Sequence, residues 1–118
     1  MNMKSLGIDI IEIDRIEKII QEFGDTFLKK VFSEEEIKYC KAKAKPSQHF
    51  AARFAAKEAI AKALGTGFKN NLMLRDIEVR NDLNGKPHVY FKGIKDERFL
   101  ISISHSNSHV VAVALLDE

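Results

Sequence analysis

The spacing of apolar residues changes twice along this chain, dividing it into an N-terminal strand, a helical half and a β half. Residues 4–13, Lys-Ser-Leu-Gly-Ile-Asp-Ile-Ile-Glu-Ile, read as a strand. A period of two puts Gly7, Asp9, Ile11 and Ile13 on one face and Ile8, Ile10 and Glu12 on the other. The period then lengthens. Asp14 is placed to cap a helix through Ile16, Ile19, Ile20 and Phe23 that ends at Gly24. A short helix is predicted over 26–31. Ser33-Glu34-Glu35-Glu36 has the form of a capping box and opens a third helix through Ile37 and Tyr39. Lys43-Ala44-Lys45-Pro46 breaks it.

Ser47 is the expected cap of the longest helix, about 48–64, stopped by Gly65. Its many alanines allow another backbone to approach closely, which predicts a place at the centre of the fold. Phe54, Glu58 and Lys62 are four apart and share a face, with Arg53 and Lys57 on a neighbouring stripe.

Strand spacing then returns. Ile77 and Val79, then Asn84-Gly85, then His88-Val89-Tyr90-Phe91 predict a hairpin with its turn at Asn-Gly. Two further strands, 99–104 and 110–116, are joined by Ser106-Asn107-Ser108. The last is apolar on both faces, as a strand covered on both sides by helices or a neighbouring subunit would be. The fold class expected is α+β, with an antiparallel sheet packed on a long central helix.

With 118 residues, one domain spanning 1–118 is expected. An apolar content of 45% supports a real core and argues against disorder. A deep cleft would remove part of so small a core, so a cleft shared between subunits is favoured. Cys40 is the only cysteine, which excludes a disulfide framework and a cysteine-rich metal site. No secretory signal precedes Gly7, and no apolar run approaches the ~20 residues of a membrane span. A cytoplasmic protein is expected. The net charge of +2 does not by itself imply nucleic-acid binding, but its distribution is uneven. From Lys38 to Lys62 seven cations face a single acid, Glu58.

Asp9 and Glu58 are carboxylates in segments that otherwise read as buried, and burial is costly unless the group is paired, hydrogen-bonded or bound to metal. Each has a plainer explanation. Asp9 could hydrogen-bond a local turn, and Glu58 could pair with Lys62 for only ~0.3–0.5 kcal/mol on an exposed helix. Together, with cations beside them, they suit a hard divalent ion holding a phosphate-bearing substrate. Lys62, Lys57 and Arg53 could reach phosphate oxygens. His105 ends the apolar face of Ile101 and Ile103; it is either a hydrogen-bonded strand-end histidine or a phosphate donor and general acid/base. Ser104 points to the opposite face, so a Ser–His dyad is excluded. Gly65-Thr66-Gly67 follows a helix rather than preceding one and is not a P-loop. His49, His88 and His109 read as structural or exposed.

Five blocks, in this order, resemble the holo-(acyl-carrier-protein) synthase family, the small 4′-phosphopantetheinyl transferases of bacteria. They are Gly7 to Ile16, Phe32 to Glu36, Arg53 to Gly67, the turn Asn84-Gly85-Lys86-Pro87, and Ile101 to Ser106. The resemblance implies transfer of 4′-phosphopantetheine from coenzyme A to a serine of apo-acyl carrier protein. Adenosine 3′,5′-bisphosphate would be released, in support of fatty acid biosynthesis. It further implies that Asp9 and Glu58 hold Mg²⁺ and that Lys62 stabilises or protonates the leaving phosphate. His105, Arg53 and Gly85-Lys86-Pro87 would contact the nucleotide. It leaves the general base open; Glu58 acting through a water is the choice here. Arg15, Lys18 and Lys29 would form a basic face for the acidic carrier protein, Arg15 foremost, and the assembly would be a homotrimer with sites at subunit boundaries. Rival readings are a polyanion-binding module gripping RNA through the basic 38–62 segment, and a metal-dependent phosphohydrolase. The modest charge and the lack of an aromatic-basic RNA-binding strand weigh against the first.

Overall fold

The computed structural model describes residues 3–65 and 73–117. Strand β1 (Met3–Glu12) leads into α1 (Ile13–Phe23), α2 (Asp25–Val31), α3 (Glu34–Lys41) and α4 (Pro46–Leu64). After a 3₁₀ turn at Leu74–Asp76 come β2 (Ile77–Asn81), β3 (Pro87–Phe91), β4 (Ile94–Lys95), β5 (Phe99–His105) and β6 (His109–Asp117). The strands form two antiparallel three-stranded sheets, ordered β1-β6-β5 and β2-β3-β4, where one sheet was expected. The α+β class and the central place of the long helix hold: α4 lies across β1 and β6, and Ala51, Ala55, Ala56, Ala59, Ile60, Ala61 and Ala63 are all buried.

Gly7 makes that packing possible. A Cβ there would stand 1.9 Å from the Ala59 carbonyl oxygen and 2.7 Å from the Ala63 nitrogen, so helix and strand backbones touch directly.

Several boundaries differ from expectation for local reasons. Ile13 leaves the strand to open α1, its N–H donating to Ser108 O at 2.9 Å. Asp14 therefore sits inside the first turn, and Glu12 occupies the cap without a side-chain bond. Pro46 takes the first position of α4 after Lys45, so Ser47 is inside the helix rather than its cap; proline's fixed φ and missing N–H suit that position. The Ser33/Glu36 capping box forms as predicted. In the β2–β3 hairpin, Asp82 organises the turn: its Oδ1 accepts from Asn84 N at 2.9 Å and Lys86 N at 3.0 Å. Only Gly85 takes a left-handed φ, 84°, so this is a longer turn than a two-residue Asn-Gly one. Thr66 and Gly67 lie outside the described residues.

Among the described residues, the β1-β6-β5 sheet is covered on one face only. Val110, Ala112, Ala114 and Leu116 are buried beneath α4. On the other face, cross-strand register aligns Leu6 with Leu115, Ile8 with Val113 and Ile10 with Val111. Leu6, Ile8 and Ile10 are each more than half exposed there. The two-sided apolar character of the last strand is thus satisfied on only one side within the described residues.

Candidate active site

Asp9 follows Gly7 on the face of β1 that meets α4, so the close backbone contact brings it beneath the C-terminal half of the helix. Lys62 Nζ donates to Asp9 Oδ1 at 3.1 Å and to Ile8 O at 2.9 Å. The lysine side chain is 54% exposed and the aspartate 16%, so the cation roofs a recessed carboxylate. Glu58 lies one turn before Lys62 on the same face. Burial foremost, then the negative charge of Asp9, pushes the Glu58 carboxyl above its ordinary range, with Lys62 pulling it back. Two carboxylates compete here for one exposed ammonium.

A third ligating side chain is absent: among the described residues no three His, Cys, Asp or Glu gather. The donor set is therefore two carboxylates opening to solvent, which fits a hard cation that keeps waters and takes its other oxygens from a substrate phosphate. Magnesium matches that description; zinc, with its preference for nitrogen and sulfur, does not.

The other residues singled out from sequence lie elsewhere. His105 ends β5 on the α4 face as alternation predicted, where Gln48 Nε2 donates to its Nε2 at 3.2 Å. Gln48 is in the first turn of α4 and Glu58 ten residues on, roughly 15 Å along the helix axis. Arg53 is 4% exposed, with its guanidinium 4.1 Å above the Tyr39 ring and its Nε without a hydrogen-bond partner among the described residues. Gly85, Lys86 and Pro87 sit on the β2–β3 hairpin, and β3 packs on β5 rather than on β1. One chain thus brings together Asp9, Glu58 and Lys62 but not His105, Arg53 or the 85–87 turn. Arg15, Lys18 and Lys29 are exposed on α1 and α2, and none makes an ion pair among the described residues.

Lys57 was read from sequence as a possible phosphate ligand, and the structure corrects this. It is fully buried, with Nζ 2.6 Å from Glu36 Oε1, 3.0 Å from Leu74 O and also bonded to Ile77 O. Glu36 additionally accepts from Ser33 N at 2.9 Å and Val79 N at 3.0 Å. The capping box in the sequence accounted for one of these bonds only. His49 meets Tyr39 edge-on, His88 pairs with Asp82 at 2.9 Å, and His109 takes Ser108, all in keeping with structural roles. Cys40 is buried, and desolvation pushes its thiol up to about 12.

The family model of the 4′-phosphopantetheinyl transferase superfamily matches residues 5–114. The chain belongs to this family. A holo-[acyl-carrier-protein] synthase of Chlamydia trachomatis serovar L2 is 48% identical, over 98% of this chain and 100% of that protein. The crystal structure of the Neisseria meningitidis holo-[acyl-carrier-protein] synthase superposes with TM-score 0.86 at 31% identity, over 97% of this chain and 98% of that one. The Bacillus anthracis synthase, in complex with CoA (3′,5′-ADP), superposes with TM-score 0.82 at 38% identity, over 100% and 99%. The family's fold is thus the one described here, two antiparallel sheets with α4 between the strand carrying Asp9 and the α3 layer. No helix among the described residues is long and apolar enough to cross a membrane.

Proposed function

We infer that this chain is a phosphopantetheinyl transferase of the holo-(acyl-carrier-protein) synthase type, acting as one domain in the cytoplasm. It moves 4′-phosphopantetheine from coenzyme A to a serine of apo-acyl carrier protein and releases adenosine 3′,5′-bisphosphate, in support of fatty acid biosynthesis. The observation that carries the reading is the Asp9–Glu58 pair under Lys62, in a chain whose family match runs almost end to end.

A Mg²⁺ ion held by Asp9 and Glu58 would supply charge neutralisation on the pyrophosphate. The chain's own residues do the rest. The serine oxygen of the carrier protein bonds to the phosphorus bearing pantetheine as the bond from that phosphorus to the bridging oxygen breaks. Glu58 receives the serine proton through a water. Lys62 leaves Asp9 for the departing phosphate and offsets or protonates its new charge. Lys62 is suited to this because it is exposed and, among the described residues, held by two acceptors, Asp9 and Ile8 O. His105, Arg53, Gly85, Lys86 and Pro87 hold the nucleotide, and Arg15, Lys18 and Lys29 face the carrier protein.

The wide separation of His105 from Glu58 along α4 supports a site completed by a neighbouring copy. The open apolar face of Leu6, Ile8, Ile10, Val111, Val113 and Leu115 supports association with a neighbouring copy, and the family resemblance makes that assembly a homotrimer.

The test is intact-mass spectrometry of a bacterial apo-acyl carrier protein incubated with this chain, coenzyme A and Mg²⁺, beside an EDTA control. One added phosphopantetheinyl group, lost with EDTA, is expected. No addition to a properly folded carrier protein overturns the reading, and release of adenosine bisphosphate without an acceptor would make the chain a hydrolase.

A further inference from the structure

Helix α4 must present Glu58 to Asp9, yet its apolar packing is poorly suited to fixing its rotation. Buried residues surround it: Phe50, Ala51, Ala55, Ala56, Ala59, Ile60, Ala61 and Ala63 occupy every side. Alanine offers nearly the same surface whichever way the helix turns. The close contact at Gly7 fixes how near α4 comes to β1 and sets the Ala59 and Ala63 side of the helix against the strand, but the side chains flanking it there are small and leave the finer rotation to contacts elsewhere.

The feature that does discriminate is charged. Lys57 and Glu36 are 0% and 1% exposed and lie 2.6 Å apart. Lys57 also bonds the carbonyls of Leu74 and Ile77, while Glu36 is held by the N–H groups of Ser33 and Val79. Glu78 and Arg53 are the other charged groups that act on this lysine. A buried ion left without its partner is strongly penalised, so rotations of α4 that part the two are disfavoured far more than alanine repacking would require. Lys57 immediately precedes Glu58, and neighbouring residues on a helix point about 100° apart. Fixing one against α3 and β2 therefore fixes the other against β1.

We propose that the buried Glu36–Lys57 pair is a positioning device for the transfer reaction, setting the rotation of α4 so that Glu58 meets Asp9 across the metal site. Neither residue touches substrate. The inference rests on the metal role of Asp9 and Glu58 given above, so the experiment begins with that role.

Mn²⁺ binding is followed by electron paramagnetic resonance on wild type, Asp9→Asn and the double variant Glu36→Gln/Lys57→Met. The double variant removes both charges together, so that neither is left buried and unpaired, and the Gln oxygen keeps an acceptor for one of the two N–H groups. The expected result is a folded, cooperatively melting variant with Mn²⁺ affinity reduced by about 10–100-fold, as when a metal site loses its outer support. The kcat should fall and be restored by excess Mg²⁺, whereas the KM for the carrier protein stays put. Wild-type Mn²⁺ affinity in the folded double variant overturns the proposal, because a purely structural pair would give that result. Should the double variant not fold, Glu36→Asp, which keeps both charges and draws the carboxylate back by one methylene, is read in the same way. A wild type whose Mn²⁺ binding is absent, or unaffected by Asp9→Asn, overturns the metal role itself, and the positioning proposal with it.

Discussion

Gly7→Ala tests the closest contact in the fold and the site above it. The new methyl would lie 1.9 Å from the Ala59 oxygen, and about 1.1 Å of retreat is needed to reach even 3.0 Å, the limit that real Cβ contacts respect. Neither side of this contact is a flexible side chain. The oxygen belongs to the backbone of a helix with ten buried residues, and Gly7 pairs with Ala114 of the central strand β6. The cost is set at about 3 kcal/mol, the upper end of overpacking, or a fall in Tm of about 12 °C for a domain of this size. The same retreat carries Glu58 and Lys62 away from Asp9, and a misplacement of about 1 Å costs roughly 100-fold in rate. Thermal melting gives the first quantity, and phosphopantetheinyl transfer followed by mass the second. The loss of rate should persist well below the lowered Tm. A Gly7→Ala variant that melts like wild type and transfers at the wild-type rate would refute the argument that helix–strand contact sets the carboxylate spacing.

Glu58→Gln should abolish Mg²⁺-dependent transfer yet stabilise the metal-free protein near neutral pH. Because the folded-state pKa of Glu58 is raised, its contribution to stability is present below its ordinary value of 4.5 and is lost as pH rises through the raised value. Denaturant midpoints across pH should show that decline in wild type and its absence in the variant; parallel profiles would contradict it. Ile10→Asp, at a position 64% exposed on the open sheet face, should yield monomers in analytical ultracentrifugation, and a wild type already monomeric would remove the trimer reading. Arg15→Glu should weaken carrier-protein binding much more than coenzyme A binding in calorimetry; equal losses would move the docking face elsewhere. Cys40, buried with its thiol near 12, should resist iodoacetamide in the native protein and react only on unfolding, so labelling at the native rate of a free thiol would contradict that burial.

What the sequence disclosed follows from what periodicity measures. Alternation assigns residues to faces, and it put Gly7, Asp9 and Ile11 together and His105 with Ile101 and Ile103, as found. Capping chemistry is equally local, and the Ser33 box appeared where the residues indicated. Periodicity does not say what each face meets. Lys57 and Lys62 belong to the same cation-rich helix and read alike, yet one is sealed against Glu36 and the other stands open above Asp9. Their partners lie 21 and 53 residues away, and no short-range rule links them. The division into two sheets was hidden for the same reason, since β3 joins β2 through a local turn but meets β5 only in the tertiary packing.

The same limit applies to the second face of β6. Val111, Val113 and Leu115 announce burial in the sequence, and the chain leaves the matching Leu6, Ile8 and Ile10 exposed opposite them. An apolar stripe three strands wide, continuing through Leu100, is costly to leave in water, because each fully buried side chain of this kind is worth about 1.5–3 kcal/mol. A second copy of the same chain offers a matching surface without any new sequence. His105 ends β5, an edge strand of this sheet, on the α4 face rather than the open one. The distance of the proposed nucleotide contacts from Asp9 and the open apolar face would share one cause if a neighbouring copy carried part of each site. A mixed assembly tests this, because Asp9→Asn chains and His105→Ala chains, each inactive alone, should regain activity when refolded together. No regain in a verified mixed oligomer would place the whole site within a single chain.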